Sequence, residues 1–198
     1  MAIIVGTSGN DTLLGGIEAD SLDGLEGDDR LDGSLGADSL NGGLGNDTLI
    51  GGELGAMVGD TLTGGAGDDV YEIANPLDQI VEAVGEGVDE VRTGLAVFTL
   101  GDNVETLTYT GAAAFTGTGN DLDNRITGGA GADSLSGGAG ADTLVGGGGA
   151  DTLAGGLGFD TLIGGAGNDL YRIDDVADLV VENAGEGVDE LRTSLSAF

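Results

Sequence analysis

No cysteine, histidine, lysine or tryptophan occurs in the 198 residues, and there is a single proline. Each absence removes a class of chemistry. Without cysteine there are no disulfide staples and no thiol nucleophile. Without histidine the Ser-His triads and the usual zinc sites are gone. Without lysine there is neither a Schiff-base residue nor the Lys that completes a Walker phosphate loop. Positive charge is scarce: five arginines stand against 36 acidic residues, giving a formal net charge of −31. Nucleic acid and anionic membrane surfaces repel such a chain. Five scattered arginines also make no basic face for an anionic polysaccharide. No apolar run approaches a membrane span, and Met1-Ala2-Ile3-Ile4-Val5 is too short and uncharged for a secretory signal.

What is present in excess is ordered. The nine residues Gly42-Gly43-Leu44-Gly45-Asn46-Asp47-Thr48-Leu49-Ile50 show the unit, Gly-Gly-x-Gly-x-Asp-x-Leu-x. It opens again, with some slots degenerate, at Gly15, Gly24, Gly33, Gly64, Gly128, Gly137, Gly146, Gly155 and Gly164. An N-terminal copy starts at Gly6, and a copy at Gly51 carries four extra residues. The period places Asp11, Asp20, Asp29, Asp38, Asp47, Asp60 and Asp69, then Asp133, Asp142, Asp151, Asp160 and Asp169, each followed two residues on by Leu or Tyr. A short fixed period marks a solenoid. The glycines permit a tight turn that aims carbonyls inward. The Asp adds a carboxylate, and calcium takes about six to eight such hard oxygens. The last three residues read as a short strand with the Leu turned inward. Two repeats then make one coil, and turns eighteen residues apart stack. That pairs Asp11 with Asp29, Asp29 with Asp47, Asp20 with Asp38, Asp133 with Asp151, Asp151 with Asp169, and Asp142 with Asp160.

This pattern resembles the RTX (repeat-in-toxin, hemolysin-type) calcium-binding nonapeptide family of secreted bacterial proteins. The resemblance implies an all-β fold, a right-handed parallel β-roll or β-solenoid with several Ca2+ ions in stacked turns. It implies that each ion is held by the two stacked Asp carboxylates and by four carbonyls. On the first pair those are the carbonyls of Thr7, Gly9, Gly24 and Glu26 around Asp11 and Asp29; Gly27, Gly42, Gly146 and Gly164 are candidate ligands in other turns. It also implies a secreted or cell-surface location, reached by a type I route, and a structural role. Two departures stand out. Asn124 replaces Asp in a degenerate copy starting at Gly119, and the insertion Leu54–Val58 lengthens the turn before Asp60. These set the Asp38/Asp60 and Asn124/Asp142 pairs apart from the regular ones.

Four segments follow: a first roll over 1–72, a strand-rich connecting segment over 73–118 expected to continue the solenoid, a second roll over 119–172, and the start of a second connector over 173–198. The longer period is about one hundred residues: Gly85-Glu86-Gly87-Val88-Asp89-Glu90 returns as Gly185-Glu186-Gly187-Val188-Asp189-Glu190, and Phe98 as Phe198. The chain is therefore expected to be a piece of a longer array, with further domains of a parent protein as partners. Between the connectors Glu82, Asp89 and Arg92 recur as Glu182, Asp189 and Arg192; exposed or edge salt bridges between rungs are the favoured reading, with ligand binding as the alternative. Outward Thr and Ser beside the Leu ladder form a stripe open to lateral self-association, although β-propensity explains it equally well. Carboxylate pairs repeated in equivalent turns do not resemble a single asymmetric active site, so no residue is assigned to catalysis and the chain is read as non-enzymatic. The alternative role is a surface adhesin, or a polysaccharide-binding accessory module of a secreted enzyme, toxin or surface-layer protein. Without a counter-ion the acidic, glycine-rich chain is expected to be disordered.

Overall fold

Each nonapeptide ends in a short segment, such as Thr48-Leu49-Ile50 or Ser21-Leu22-Asp23, whose middle residue is destined for the core. The computed structural model describes residues 1–52 and 58–195. Most of the insertion Leu54–Val58, and Phe198, therefore lie outside the described residues. Among the described residues the regular elements are strands, and their pairings are parallel. In chain order they are β1 Ile3–Val5, β2 Thr12–Leu14, β3 Ser21–Glu26, β4 Arg30–Asp32, β5 Ser39–Leu44, β6 Thr48–Ile50, β7 Thr61–Ala66, β8 Val70–Ile73, β9 Gln79–Val81 and β10 Glu90–Thr93. There follow β11 Val97–Thr99, β12 Thr106–Tyr109, β13 Thr116–Thr118, β14 Arg125–Thr127, β15 Ser134–Ala139, β16 Thr143–Gly148, β17 Thr152–Leu157, β18 Thr161–Ala166, β19 Leu170–Ile173, β20 Leu179–Val181 and β21 Glu190–Thr193. Among the described residues no helix is long and apolar enough to cross a membrane.

The strands fall into two compact units, Met1–Leu95 with Gly101–Val104, and Ala96–Leu100 with Glu105–Phe198. In the first, odd-numbered strands β1 to β9 line one face and even-numbered β2 to β10 the other. Because successive strands alternate between faces, every two make one coil of a β-solenoid. The second unit repeats this with β11 to β21 on one face and β12 to β20 on the other. The stacking register is eighteen residues in the regular copies: Thr12 lies beside Arg30 and Ser21 beside Ser39. Across the lengthened copy Ser39 lies beside Thr61, and Leu40 still meets Leu62. The added length lies between β6 and β7, whose described residues keep the inward set on its face. Strands outside the nonapeptides pair in the same way, β9 on β7 and β10 on β8.

The core is a column of central strand residues. Leu31, Leu49, Tyr71 and Val91 stack on one face of the first unit, and Leu22, Leu40 and Leu62 on the other, all at most 1% exposed. Burying each Leu contributes about 1.5–3 kcal/mol. In the second unit Gly117 interrupts such a column between Phe98 and Leu135. The Phe115 ring fills the gap: a Cβ on Gly117 would stand 2.6 Å from it, and Tyr109 stacks on the same ring at 4.4 Å.

Candidate metal centres in the turns

Every site Asp sits one residue before a strand, where the turn hands the chain over to the sheet. Its backbone N–H and carboxylate join successive coils. Asp11 N–H donates to Asp29 Oδ1, Asp29 to Asp47, and Asp47 to Asp69, each at 2.7 Å. On the opposite edge Asp20 donates to Asp38 and Asp38 to Asp60, also at 2.7 Å. In the second unit Asp133 donates to Asp151 and Asp151 to Asp169 at 2.8 Å, and Asp142 to Asp160 at 2.9 Å. The ladder runs past the nonapeptides into the connectors: Asp60 donates to Asp78, Asp69 to Asp89, Asp160 to Asp178 and Asp169 to Asp189.

The second carboxylate oxygen behaves differently. Oδ2 of Asp29, Asp38, Asp47, Asp69, Asp142, Asp151, Asp160 and Asp169 is buried and accepts no hydrogen bond. These atoms face small gaps between one turn and the next. A Cβ built on Gly24 would overlap Asp29 Oδ2 and stand 2.6 Å from Gly42 O; on Gly146 it would overlap Asp151 Oδ2 and stand 2.7 Å from Gly164 O. Carbonyls enter from the turn below as well, Leu25 O pointing at Gly43 and Gly27 O at Gly45. The gaps at Gly24 and Gly146 are thus lined by carboxylate and carbonyl oxygens, and at Gly64 and Gly164 a tyrosine hydroxyl joins the carboxylate. Buried unpaired carboxylates are costly. Burial first, and neighbouring carboxylates second, push Asp47, Asp142 and Asp151 up to about 6 and Asp69 up to about 7. Hard oxygens in a gap that a side chain would fill suit a calcium ion, so the residues present fit the metal.

Not all turns are alike. Where the second residue of the turn has positive φ (Leu25, Ser34, Gly43, Gly65, Gly138, Gly147, Gly156 and Gly165), the Asp four residues later has the orphaned Oδ2. Where that residue is ordinary, its N–H turns inward and takes the oxygen instead. Thr7, Gly16 and Gly129 donate in this way to Oδ2 of Asp11, Asp20 and Asp133, at 2.5, 2.8 and 2.7 Å. Asn120 does the same to Oδ1 of Asn124, whose amide donates to Glu105 O at 3.3 Å. The turns thus come in an open form, with a vacant carboxylate oxygen, and a closed form that satisfies itself. The irregular pairs keep the coil-to-coil bond: Asn124 N–H reaches Asp142 Oδ1 at 2.7 Å, as Asp38 reaches Asp60.

Among the carbonyl candidates, Gly24 O, Gly42 O, Gly146 O and Gly164 O all point across a gap at the first glycine of the turn below. Thr7 is engaged in its closed turn through both N–H and hydroxyl, and its hydroxyl lies 3.4 Å from Gly9 O. Glu26 lies on β3 beside Leu44, with its side chain exposed.

The sequence pattern missed the acids contributed by the connectors. Ligand-capable oxygens of Asp69, Glu82 and Asp89 lie within 4.8 Å of one another, as do those of Asp169, Glu182 and Asp189, and of Asp160, Asp174 and Asp178. The recurrence of Glu82 and Asp89 as Glu182 and Asp189 was the available signal, and its reading as inter-rung salt bridges needs correction. Arg92 pairs with Glu90 and Arg192 with Glu190, each at 2.7 Å and within one strand, while Glu82 and Asp89 turn toward Asp69.

The family profile of the RTX calcium-binding nonapeptide repeat (4 copies) matches residues 5–40, 23–53, 59–72, 118–153 and 145–178, more than half of the chain. The chain belongs to this family. Its calcium-binding repeats therefore account for the stacked turns. Relatives include two proteins of Rhizobium meliloti (strain 1021). One is the endo-1,3-1,4-beta-glycanase ExsH, 41% identical over 80 residues, covering 40% of this chain and 17% of that protein. The other is the endo-1,3-1,4-beta-glycanase EglC, 39% identical over 69 residues, covering 35% and 14%. The shared RTX stretch is thus a small part of either relative.

Proposed function

We propose that this chain is the calcium-loaded structural region of a secreted bacterial protein, exported in an unfolded state and folded by calcium outside the cell. The ligands would be the Asp carboxylates of stacked open turns together with the Gly carbonyls that face them. The observation that carries this reading is the row of buried Oδ2 atoms with no donor, one per open turn. A net charge of −31 and a core of one Leu per repeat leave the metal-free fold weak. Ion binding removes the repulsion and satisfies the oxygens, so binding free energy becomes folding free energy. Sites of this kind stay empty at cytosolic calcium and fill at the roughly millimolar level outside cells. The role is non-enzymatic, because the acids that would catalyse are the same acids repeated in every turn. A second reading, an accessory module of a secreted glycan-acting enzyme, draws on the names of the two relatives and on the small share of them that is matched.

Circular dichroism and hydrodynamic radius in chelator and in calcium test the reading. The chain should be expanded and poor in β-signal with chelator, then compact and β-rich with calcium. Magnesium should substitute poorly, since it holds to a rigid octahedron at about 2.0–2.1 Å and releases water reluctantly. A chain equally compact and β-rich in chelator would overturn it.

A further inference from the structure

We propose that Asp69, Glu82 and Asp89 form a cation site of different make from those between nonapeptide turns, recurring as Asp169, Glu182 and Asp189, which fastens the end of each roll to its connector. The proposal rests on the calcium reading of the turns and adds a ligand from outside the repeat.

Asp69 is 1% exposed, and its Oδ2 is buried without a partner. Glu82 Oε2 is likewise buried and unpartnered, although Glu82 belongs to the connector. The two meet through Tyr71. The Tyr71 ring takes the core place that Leu holds in other turns, and its hydroxyl donates to Glu82 Oε1 while accepting Gly64 N–H at 2.7 Å. That hydroxyl and Asp69 Oδ2 converge on the spot a Cβ of Gly64 would occupy. Asp89 closes the group from the next rung, its Oδ1 accepting Asp69 N–H at 2.8 Å. Tyr171, Glu182, Gly164 and Asp169 repeat the arrangement, with Glu182 again eleven residues after the tyrosine. Glu182 and Asp189 are more exposed there.

Two features separate this group from an ordinary acidic patch. Three carboxylates are crowded around a buried point, and the neighbouring Arg92 is committed to Glu90. Tyr71 also fixes the orientation of Glu82, as outer hydrogen-bond partners fix metal ligands. Three carboxylates in place of two favour a calcium-like ion of higher charge, because ligand charge tunes the affinity of oxygen sites.

The tyrosines supply the test. The chain has three tyrosines and no tryptophan, and Tyr109 is stacked on Phe115. Terbium(III), a hard ion that replaces calcium, emits when excited through a tyrosine close to it, so Tyr71 and Tyr171 report on these sites. The full chain should give tyrosine-sensitised terbium emission that calcium competes away. Glu82→Gln combined with Glu182→Gln should weaken terbium binding in that emission about tenfold or more, with calcium-induced β-signal as the check that the roll has formed. Should the double variant fail that check, Glu82→Gln alone is read against the intact second site, and about half of the tight phase should be lost. An unchanged titration in the variants, or a wild-type chain that folds with calcium yet shows no sensitised emission, overturns the proposal. Failure of the underlying calcium reading would appear differently, as a wild-type chain that gains no β-signal with calcium.

Discussion

Asp29 gives its backbone N–H to Oδ1 of Asp47 at 2.7 Å, while Oδ2 of Asp47 stays buried without a donor. One carboxylate therefore does two things. Its first oxygen ties coil to coil, as a backbone acceptor would. Its second oxygen holds charge at the gap between turns, where no group of the protein neutralises it. At Asn124 no charge reaches the gap: its oxygen accepts Asn120 N–H within the turn, and its amide donates to Glu105 O. On the proposed reading, a cation that joins an open turn satisfies this oxygen and so adds to the stability of the fold.

Removing Asp29 should therefore cost much more than removing Asp23. Asp29→Ala deletes the acceptor for Asp11 N–H and the orphaned oxygen of its own turn. That donor is part-buried, so leaving it unsatisfied costs up to the roughly 1–3 kcal/mol of a buried one. Asp23 only accepts from the Asn41 side chain at an exposed site, so Asp23→Ala should stay within about 0.5 kcal/mol. Calcium titrations followed by circular dichroism compare the two. Equal midpoints would mean that the open turns are not where calcium acts.

Gly146 and Gly148 offer a sharper comparison within one turn. Neither has positive φ, so neither substitution strains the backbone. A Cβ on Gly146 would enter the gap against Asp151 Oδ2 and Gly164 O, whereas on Gly148 it would find its nearest atom at 3.9 Å. Gly146→Ala should raise the calcium midpoint about tenfold or more, the order expected when one ligand geometry is spoiled. Gly148→Ala should be neutral, or stabilise by about 0.4–1 kcal/mol through the unfolded chain. If both tolerate alanine alike, the gap is not the ion's place.

The period of nine made the solenoid and its register readable, because Leu13, Leu31 and Leu49 must share a face if they are to be buried together. The Asp ladder was readable for the same reason, as far as the spacing held. It ceased to be readable at Asp78, in a segment without the glycine pattern, and at Asp89, whose Gly85-x-Gly87-x-Asp89 turn lacks the first glycine and stacks at a spacing of twenty rather than eighteen. Glu82 was harder still, since its relation to Asp69 runs through the hydroxyl of Tyr71. The division into open and closed turns depends on φ at a single residue. Leu25 and Ser34 adopt the same sign of φ as the glycines in equivalent turns, which residue type alone would not suggest.

That strain is itself measurable. Leu25 has φ of 81° and is 42% exposed, so little packing offsets the left-handed conformation. Such a conformation costs a residue with a Cβ roughly 1–2 kcal/mol and glycine almost nothing. Leu25→Gly should therefore be more stable than Leu25→Ala by about 1 kcal/mol in saturating calcium. Chemical denaturation of the two variants measures it. If the alanine variant proved equal or better, the turn opened by Gly24 would have ordinary φ in solution.

Acid should partly replace calcium. Burial pushes Asp47, Asp142 and Asp151 up to about 6 and Asp69 up to about 7, from an ordinary value of 3.8. Because these folded-state values are raised, the folded state binds protons more tightly than the unfolded chain does. Their contribution to metal-free stability is then fully present below about pH 3.8 and is lost as pH rises through 6 to 7. In chelator, lowering the pH from 8 to about 4.5 should therefore raise β-signal and shrink the hydrodynamic radius. Calcium must displace the same protons, so its folding midpoint should move to higher concentration over the same range. Screening of overall charge repulsion is separable from this effect. About 1 M salt at pH 8 shortens the screening length to about 3 Å but leaves a buried carboxylate dry. Salt should consequently restore less structure than acid does. Equal recovery in the two, or none in acid, would mean that long-range repulsion rather than the buried Oδ2 atoms keeps the metal-free chain unfolded.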